Sequence, residues 1–232
     1  MSRCTEDGID MSMKVLKDSI EFIKKLYVNT INIGGGEPTM HPAFIECLKL
    51  IKNEIGDRII TLCTNGIFVR NEYLFNEIKE LDILIQTTYN ADLYKTGLTD
   101  EEINKLKDIS VVVLDEPSKE RLLEYGRALD NNLETSTTRI SPLCFNIRSL
   151  VKASEFELDA AINRLEWMNK FCCPTIRPDG SISLSESLCC PSIGTIYDSI
   201  DTLTENIKKF NCTNCVYAKR LLNDDRYSSI LK

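Results

Sequence analysis

The sequence is poor in the groups that most often carry out acid–base or nucleic-acid chemistry. It holds one histidine and one tryptophan in 232 residues. Nothing around His41 in the sequence poises it as a base, so it is expected to cap a helix or lie at the surface. Cations are also in deficit, 28 Lys and Arg against 35 Asp and Glu, for a net charge of -7. Phosphate binding needs clustered cations, whereas the Lys24-Lys25 and Lys208-Lys209 pairs are interleaved with acids, so neither nucleic acid nor a membrane surface is an expected partner. The apolar runs are strand-sized, far short of the roughly 20 residues that cross a bilayer. No charged-then-apolar leader opens the sequence, which makes the cytoplasm the expected compartment. Low-complexity tracts and Pro-rich linkers are missing, and the one internal repeat is a pair of Cys-Cys-Pro triplets.

What is present is an ordinary globular composition, 43% hydrophobic and 27% charged, with helical and strand periodicities in alternation. Leu16, Ile20, Ile23 and Tyr27 form a helical stripe behind Ser12, a suitable N-cap. Val28 to Ile33 reads as a strand ending in three glycines, and Phe44, Leu48 and Ile51 mark a second helix. Arg58 to Cys63 is a strand stopped by Thr64-Asn65-Gly66. Tyr73 to Leu81 is helical, Ile83 to Thr87 a strand, Glu101 to Leu106 a short helix, and Ser110 to Leu114 a buried strand. Further helices are predicted over 119–129 and 156–171, the latter packing Trp167, with a weaker strand over 137–140 closed by Pro142. Such αβ repetition implies a parallel sheet covered by helices, with ligands gathering beyond the C-terminal strand ends. The polar signatures at Gly34 to Glu37, at Asn65 and at Gln86 to Asn90 all follow strands directly.

Ten cysteines are many for a chain expected in a reducing compartment, where clustered thiols point to metal more than to disulfides. Cys172, Cys173, Cys189, Cys190, Cys212 and Cys215 fall in the last quarter. Between the doublets lies a turn sequence, Arg177-Pro178-Asp179-Gly180, and a strand, Ser181 to Leu184. A helix from Asp198 to Phe210 then leads to Cys212-Thr213-Asn214-Cys215. Two ligands from a hairpin and two from a Cys-x-x-Cys turn suit a tetrathiolate site for either zinc or iron–sulfur. Which member of each doublet binds is left open by the sequence.

Gly34-Gly35-Gly36-Glu37-Pro38 at a strand end permits close approach to the backbone, and a following glutamate can accept from an ammonium group. This segment, with Asn32-Ile33 before it and His41-Pro42-Ala43-Phe44 after it, resembles the motif with which radical SAM proteins hold the amino group of S-adenosylmethionine (SAM). Thr64-Asn65-Gly66, Gln86 to Asn90 and Arg139-Ile140-Ser141-Pro142-Leu143 resemble the family's later strand ends. The resemblance implies SAM contacts from Gly35, Gly36 and Glu37, and nucleoside contacts from Asn65, Thr88 and Arg139. The cysteine-rich tail looks like the auxiliary-cluster domain called twitch, related to SPASM tails, which implies a 4Fe-4S cluster, with zinc as the alternative.

The resemblance lacks one part. No three of the ten cysteines have the Cys-x-x-x-Cys-x-x-Cys spacing that holds the family's SAM-cleaving cluster. Cys4 to Gly8 resembles the stretch just after that loop, so the sequence is expected to begin partway through the first βα unit. Either the natural product is longer, or this is a shortened relative whose first strand edge pairs in a dimer. The expected fold is α/β: a partial (β/α) barrel of parallel strands missing its first strand over 1–150, plus a small Cys-rich auxiliary domain over 151–232. The expected function is that of a radical SAM-like protein modifying a peptide or small molecule once the missing loop is supplied, this chain alone being inactive. The rival is a non-catalytic metal-binding or interaction module, including a zinc-stabilised peptide binder.

Overall fold

The computed structural model describes residues 8–89, 97–115, 174–184 and 191–209. Predicted elements over 119–129, 137–140 and 156–171, with Trp167, lie outside these residues. The chain divides into two compact units, Met1–Ser136 and Thr137–Lys232.

In the first unit, helix α1 (Met13–Lys24) starts where the Ser12 hydroxyl accepts from Val15 N at 3.2 Å. It ends earlier than its apolar stripe suggests. The Lys25 N–H bonds to the Phe22 carbonyl, which leaves Tyr27 beyond the helix and fully exposed. Strand β1 (Thr30–Ile33), α2 (Phe44–Ile55), β2 (Ile59–Thr64), α3 (Glu72–Glu80), β3 (Leu84–Tyr89), α4 (Asp100–Ile109) and β4 (Val112–Asp115) follow in strict alternation. Helix α4 starts one residue earlier than predicted, behind a capping box closed by Thr99 and Glu102, and runs on to Ile109. Strand β4 begins after Val111, which is exposed, so the predicted buried run is displaced at its start.

The sheet has the order β1-β2-β3-β4 with every pair parallel. Because crossovers are right-handed, sequential order places all the connecting helices on one face. The core agrees. Ile60, Leu62 and Ile85 from the strands pack with Leu16 and Ile20 of α1, Phe44, Leu48, Ile51 and Ile55 of α2, Ile78 of α3 and Leu106 of α4. Strand alternation sends Asn32, Thr61, Cys63, Gln86 and Thr88 to the opposite face. On that face Ile59 and Leu84, near the strand starts, are 51% and 42% exposed, so the described residues leave it open. Asn32, Thr61, Cys63, Gln86 and Thr88 supply uncharged polar groups to it.

The second unit contains an antiparallel sheet of β5 (Thr175–Ile176), β6 (Ser181–Ser183) and β7 (Ser192–Thr195), in that order, followed by α5 (Ile200–Lys209). The turn from β5 to β6 uses Gly180 at φ +83°, with Asp179 Oδ1 accepting from Ser181 N at 2.9 Å. Among its described residues, Ile182, Leu184, Ile193, Ile196 and Leu203 are buried apolar side chains.

Candidate functional site

The turns after β1 and β2 meet at the C-terminal end of the parallel sheet, and Glu37 joins them. Its Oε1 accepts from Thr39 N at 3.2 Å, from Thr39 Oγ1 at 2.6 Å and from Thr64 Oγ1 at 2.7 Å. Its Oε2 accepts from Asn65 N at 2.7 Å. A carboxylate offers about four lone-pair sites, so protein donors crowd Oε1, while Oε2 keeps one direction open. All four donors are neutral, and no cation of the described residues pairs with Glu37. Its negative charge is therefore hydrogen-bonded but not cancelled, and this end of the sheet favours a cationic group.

The second turn is built to hold its shape. Thr64 Oγ1 accepts from Gly66 N at 3.1 Å while donating to Glu37, and Asn65 Oδ1 accepts from Ile67 N at 2.9 Å. Gly66 sits at φ +82°, where a Cβ would lie 2.7 Å from Leu106 Cδ1 and 2.9 Å from Thr87 Cγ2. The first turn is open instead. Gly34, Gly35 and Gly36 are exposed. Gly35 takes φ +149°, and a Cβ there would meet nothing within 4 Å. A ligand can reach that backbone without displacing a side chain.

His41 serves structure. Its Nδ1 accepts from Ala43 N at 3.1 Å, which leaves Nε2–H to donate to the Met11 carbonyl at 2.9 Å. The segment leading into α1 is thereby held beside the glycine turn. Farther along the same sheet end, Arg70 binds Glu102 through Nε at 2.8 Å and the Gly97 carbonyl through Nη2 at 2.7 Å. The Glu102 carboxyl is held below the usual carboxylate range, first by this guanidinium and then by the Thr99 N–H. The pair fixes where the chain after β3 returns to α4.

Of the residues predicted to bind SAM, Gly35, Gly36, Glu37 and Asn65 are brought together. Thr88 lies on β3, half-buried, paired in register with Leu114 and on the open face. Arg139 and the six clustered cysteines, Cys172, Cys173, Cys189, Cys190, Cys212 and Cys215, lie outside the described residues, among which no group of three His, Cys, Asp or Glu could hold a metal. Cys47, in the α1–α2 core, has its thiol pushed up by burial. Sequence reasoning named Thr64 as part of the turn that stops β2 but not as a partner of Glu37, because the two become neighbours only when β1 and β2 pair. It did not single out Thr39, which bonds Glu37 within one turn. Nor did it single out Arg70 and Glu102, although Thr99-x-x-Glu102 is a recognisable capping-box pattern.

In the second unit the register aligns Thr175, Ser183 and Ser192 in one row across the sheet. Pro174 and Pro191, which close the two Cys-Cys-Pro triplets, each precede a member of that row by one residue. Helix α5 runs antiparallel to β7. Leu203 packs at Gly194, and Asn206 Nδ2 then bonds the Ile193 carbonyl at 2.7 Å, one residue nearer the start of β7. The C-terminal end of α5 therefore heads toward the row, three residues short of Cys212.

The sequence profile of the Radical SAM superfamily matches residues 3–93, which include β1, β2, β3 and both turns. No curated protein matches the chain. Among solved structures, the crystal structure of BtrN in complex with AdoMet and 2-DOIA aligns at a TM-score of 0.49 and 14% identity, covering 98% of this chain and 75% of that one. No helix among the described residues is long and apolar enough to cross a membrane.

Proposed function

We propose that the first unit is a SAM-binding core of the radical SAM type and that the second holds a tetrathiolate metal centre. The observation that carries the reading is the union of the glycine turn with the Thr64-Asn65-Gly66 turn through Glu37 at the C-terminal end of a singly wound parallel sheet. Exposed backbone at Gly35 and Gly36 suits the amino-acid end of SAM, and the open direction on Glu37 Oε2 suits its ammonium. The uncancelled charge of Glu37 favours a cationic ligand over an anionic nucleotide. Asn65 and Thr88, with Arg139, are the nucleoside-side candidates. The sequential, all-parallel strand order supports reading the sheet as part of a (β/α) barrel.

SAM bound to a reduced iron–sulfur cluster supplies hydrogen-abstracting chemistry in this family, and the chain's own part is to bind and orient it. None of the ten cysteines has the Cys-x-x-x-Cys-x-x-Cys spacing, so that cluster finds no ligand set in this sequence. The assigned role is accordingly binding, with a peptide or small molecule as the substrate once cluster ligands are supplied. In the second unit, the row Thr175–Ser183–Ser192 and the heading of α5 support delivery of all three cysteine pairs to one end of a small sheet. The resemblance to twitch tails favours a 4Fe-4S cluster as the occupant, with zinc as the competitor.

Anaerobic purification followed by iron, sulfide and zinc analysis tests the metal centre. About four irons with as many sulfides per chain are expected for the cluster. Zinc without sulfide would move the second unit to the non-catalytic binding module, and a metal-free folded chain would end the tetrathiolate assignment. Equilibrium dialysis with SAM tests the first unit, where no binding would end the SAM reading.

A further inference from the structure

The Glu37 carboxylate does more for the two turns than it does for any open volume. Three of its four hydrogen bonds go to Oε1, and they come from Thr39 and Thr64, whose side chains are almost wholly enclosed. Thr64 also has a second task. Its hydroxyl oxygen takes the Gly66 N–H at 3.1 Å, so its own proton is directed at Glu37 Oε1, 2.7 Å away. A hydroxyl can do both at once because it donates one hydrogen and accepts through two lone pairs. The result is a fixed chain, Gly66 N–H to Thr64 to Glu37, that closes through Asn65 N–H back onto the other carboxylate oxygen.

We infer that Thr64 is a positioning residue. Its hydroxyl orients the Glu37 carboxylate so that the open direction of Oε2 and the backbone of Gly35 and Gly36 face the amino-acid end of the ligand. The inference rests on the SAM-binding reading and adds to it a residue that touches no ligand. Thr39 holds Oε1 from the other side, but its bonds lie within its own turn, two residues away. Only Thr64 and Asn65 reach across from β2. Of these two, Thr64 is the one whose contribution is a side chain and can be removed. Without its hydroxyl, Oε1 loses its one side-chain bond from β2, the Gly66 N–H loses its acceptor, and the carboxylate is held only by Thr39 and the Asn65 N–H.

The effect is predicted to be selective within the ligand. S-adenosylhomocysteine carries the amino-acid end, whereas 5′-methylthioadenosine keeps the nucleoside and sulfur but lacks it. Equilibrium dialysis of both probes against the wild-type chain, Thr64→Val and Thr64→Ser separates the possibilities. Thr64→Val is expected to weaken S-adenosylhomocysteine about tenfold, the factor set by about 1.4 kcal/mol, and to leave 5′-methylthioadenosine within about twofold. Thr64→Ser restores the hydroxyl and the wild-type affinity. Equal weakening of both probes would reduce Thr64 to a structural residue, and unchanged S-adenosylhomocysteine affinity would refute the inference outright. A wild-type chain that binds neither probe would instead overturn the SAM reading itself.

Amide hydrogen exchange provides a second readout that needs no ligand. Thr64→Val is expected to speed exchange at Asn65 and Gly66 while the β2–β3 ladder keeps its protection. Unchanged exchange at both amides would show that the chain of bonds does not depend on Thr64. Should Thr64→Val fold poorly, Thr64→Ala serves in its place, since it removes the same hydroxyl without adding a branched methyl. The same selective loss of S-adenosylhomocysteine is expected, and equal weakening of both probes would refute the positioning role.

Discussion

Replacing Gly66 with alanine should be among the most damaging single-methyl changes in the first unit. The backbone there has φ +82°, a left-handed conformation that costs an L-residue about 1–2 kcal/mol. The new methyl would also lie 2.7 Å from Leu106 Cδ1 and 2.9 Å from Thr87 Cγ2. Neither neighbour can withdraw easily. Both are fully buried, and the Thr87 hydroxyl is held by the Ser110 hydroxyl at 3.0 Å, which fixes its methyl. Overpacking of this kind adds about 1–3 kcal/mol, so the total is about 2–5 kcal/mol. Gly35→Ala is the internal control, with φ +149° but nothing within 4 Å of its Cβ. It should cost backbone strain alone, about 1–3 kcal/mol. Urea unfolding followed by far-UV circular dichroism, with hydrogen exchange on β2 and β3 to isolate the first unit, measures both. If the two variants agree within about 0.5 kcal/mol, the scale of ordinary surface changes, the packing around Gly66 is not as tight as described.

Three further outcomes can be checked. Glu102 has its carboxyl lowered by Arg70 and by the Thr99 N–H, so its contribution is present above the unfolded carboxylate value near ~4.3 and is lost as pH falls through the lower folded value. Because the pair is partly exposed, the contribution is about 1 kcal/mol or less, and Glu102→Gln should flatten the acid side of the stability profile; an unchanged slope would place the dependence elsewhere. Gly194→Ala should loosen the second unit, since its Cβ would lie 2.6 Å from Leu203 Cδ2 and 2.8 Å from Asp198 Oδ2. Faster amide exchange at Ile196, whose N–H bonds Gly180 O at 2.9 Å, reports it, and wild-type exchange would contradict it. Finally, replacing Cys212 and Cys215 by serine should cut the metal bound per chain in anaerobic analysis, and an unchanged content would remove them from the ligand set.

Local features were legible where the cause is local. Ser12 announces α1, the spacing of Leu16 and Ile20 gives its buried stripe, and Asn65-Gly66 stops β2 because only glycine fits the turn. Tyr27 continues the stripe yet lies outside the helix, since periodicity does not register the backbone bond that ends it at Lys25. The glycine turn and Glu37 could be singled out from residue order, but the task of Glu37 could not. Its decisive partners, Thr64 and Asn65, stand 27 and 28 residues away and become neighbours only when β1 and β2 pair. Likewise the start of α4 is set by a side chain reaching back from Glu102 to Thr99, which moves the helix ahead of its first apolar position.

The small sheet of the second unit contains an irregularity whose effect is one of levelling. Ile182 pairs with Gly194, but the next residue, Ser183, pairs with Ser192, so Ile193 is an extra residue in β7. Ser192 fills the gap. Its hydroxyl donates to Gly194 O at 2.7 Å and approaches Ile182 O at 3.0 Å, and Gly194 N returns a bond to it at 3.1 Å. In a regular ladder Ser183 would face Ile193, and Pro191 would sit one strand position, roughly 3.4 Å, out of step with Pro174. The bulge takes up that residue and sets Pro174 and Pro191 each one residue from a common line. The proposed thiolate site would tolerate errors of only about 0.2 Å in ligand distance. A single insertion or deletion in this hairpin should therefore act as a calibration fault, leaving the strands folded but Pro174 and Pro191 out of step. Loss of bound metal in anaerobic analysis is its readout.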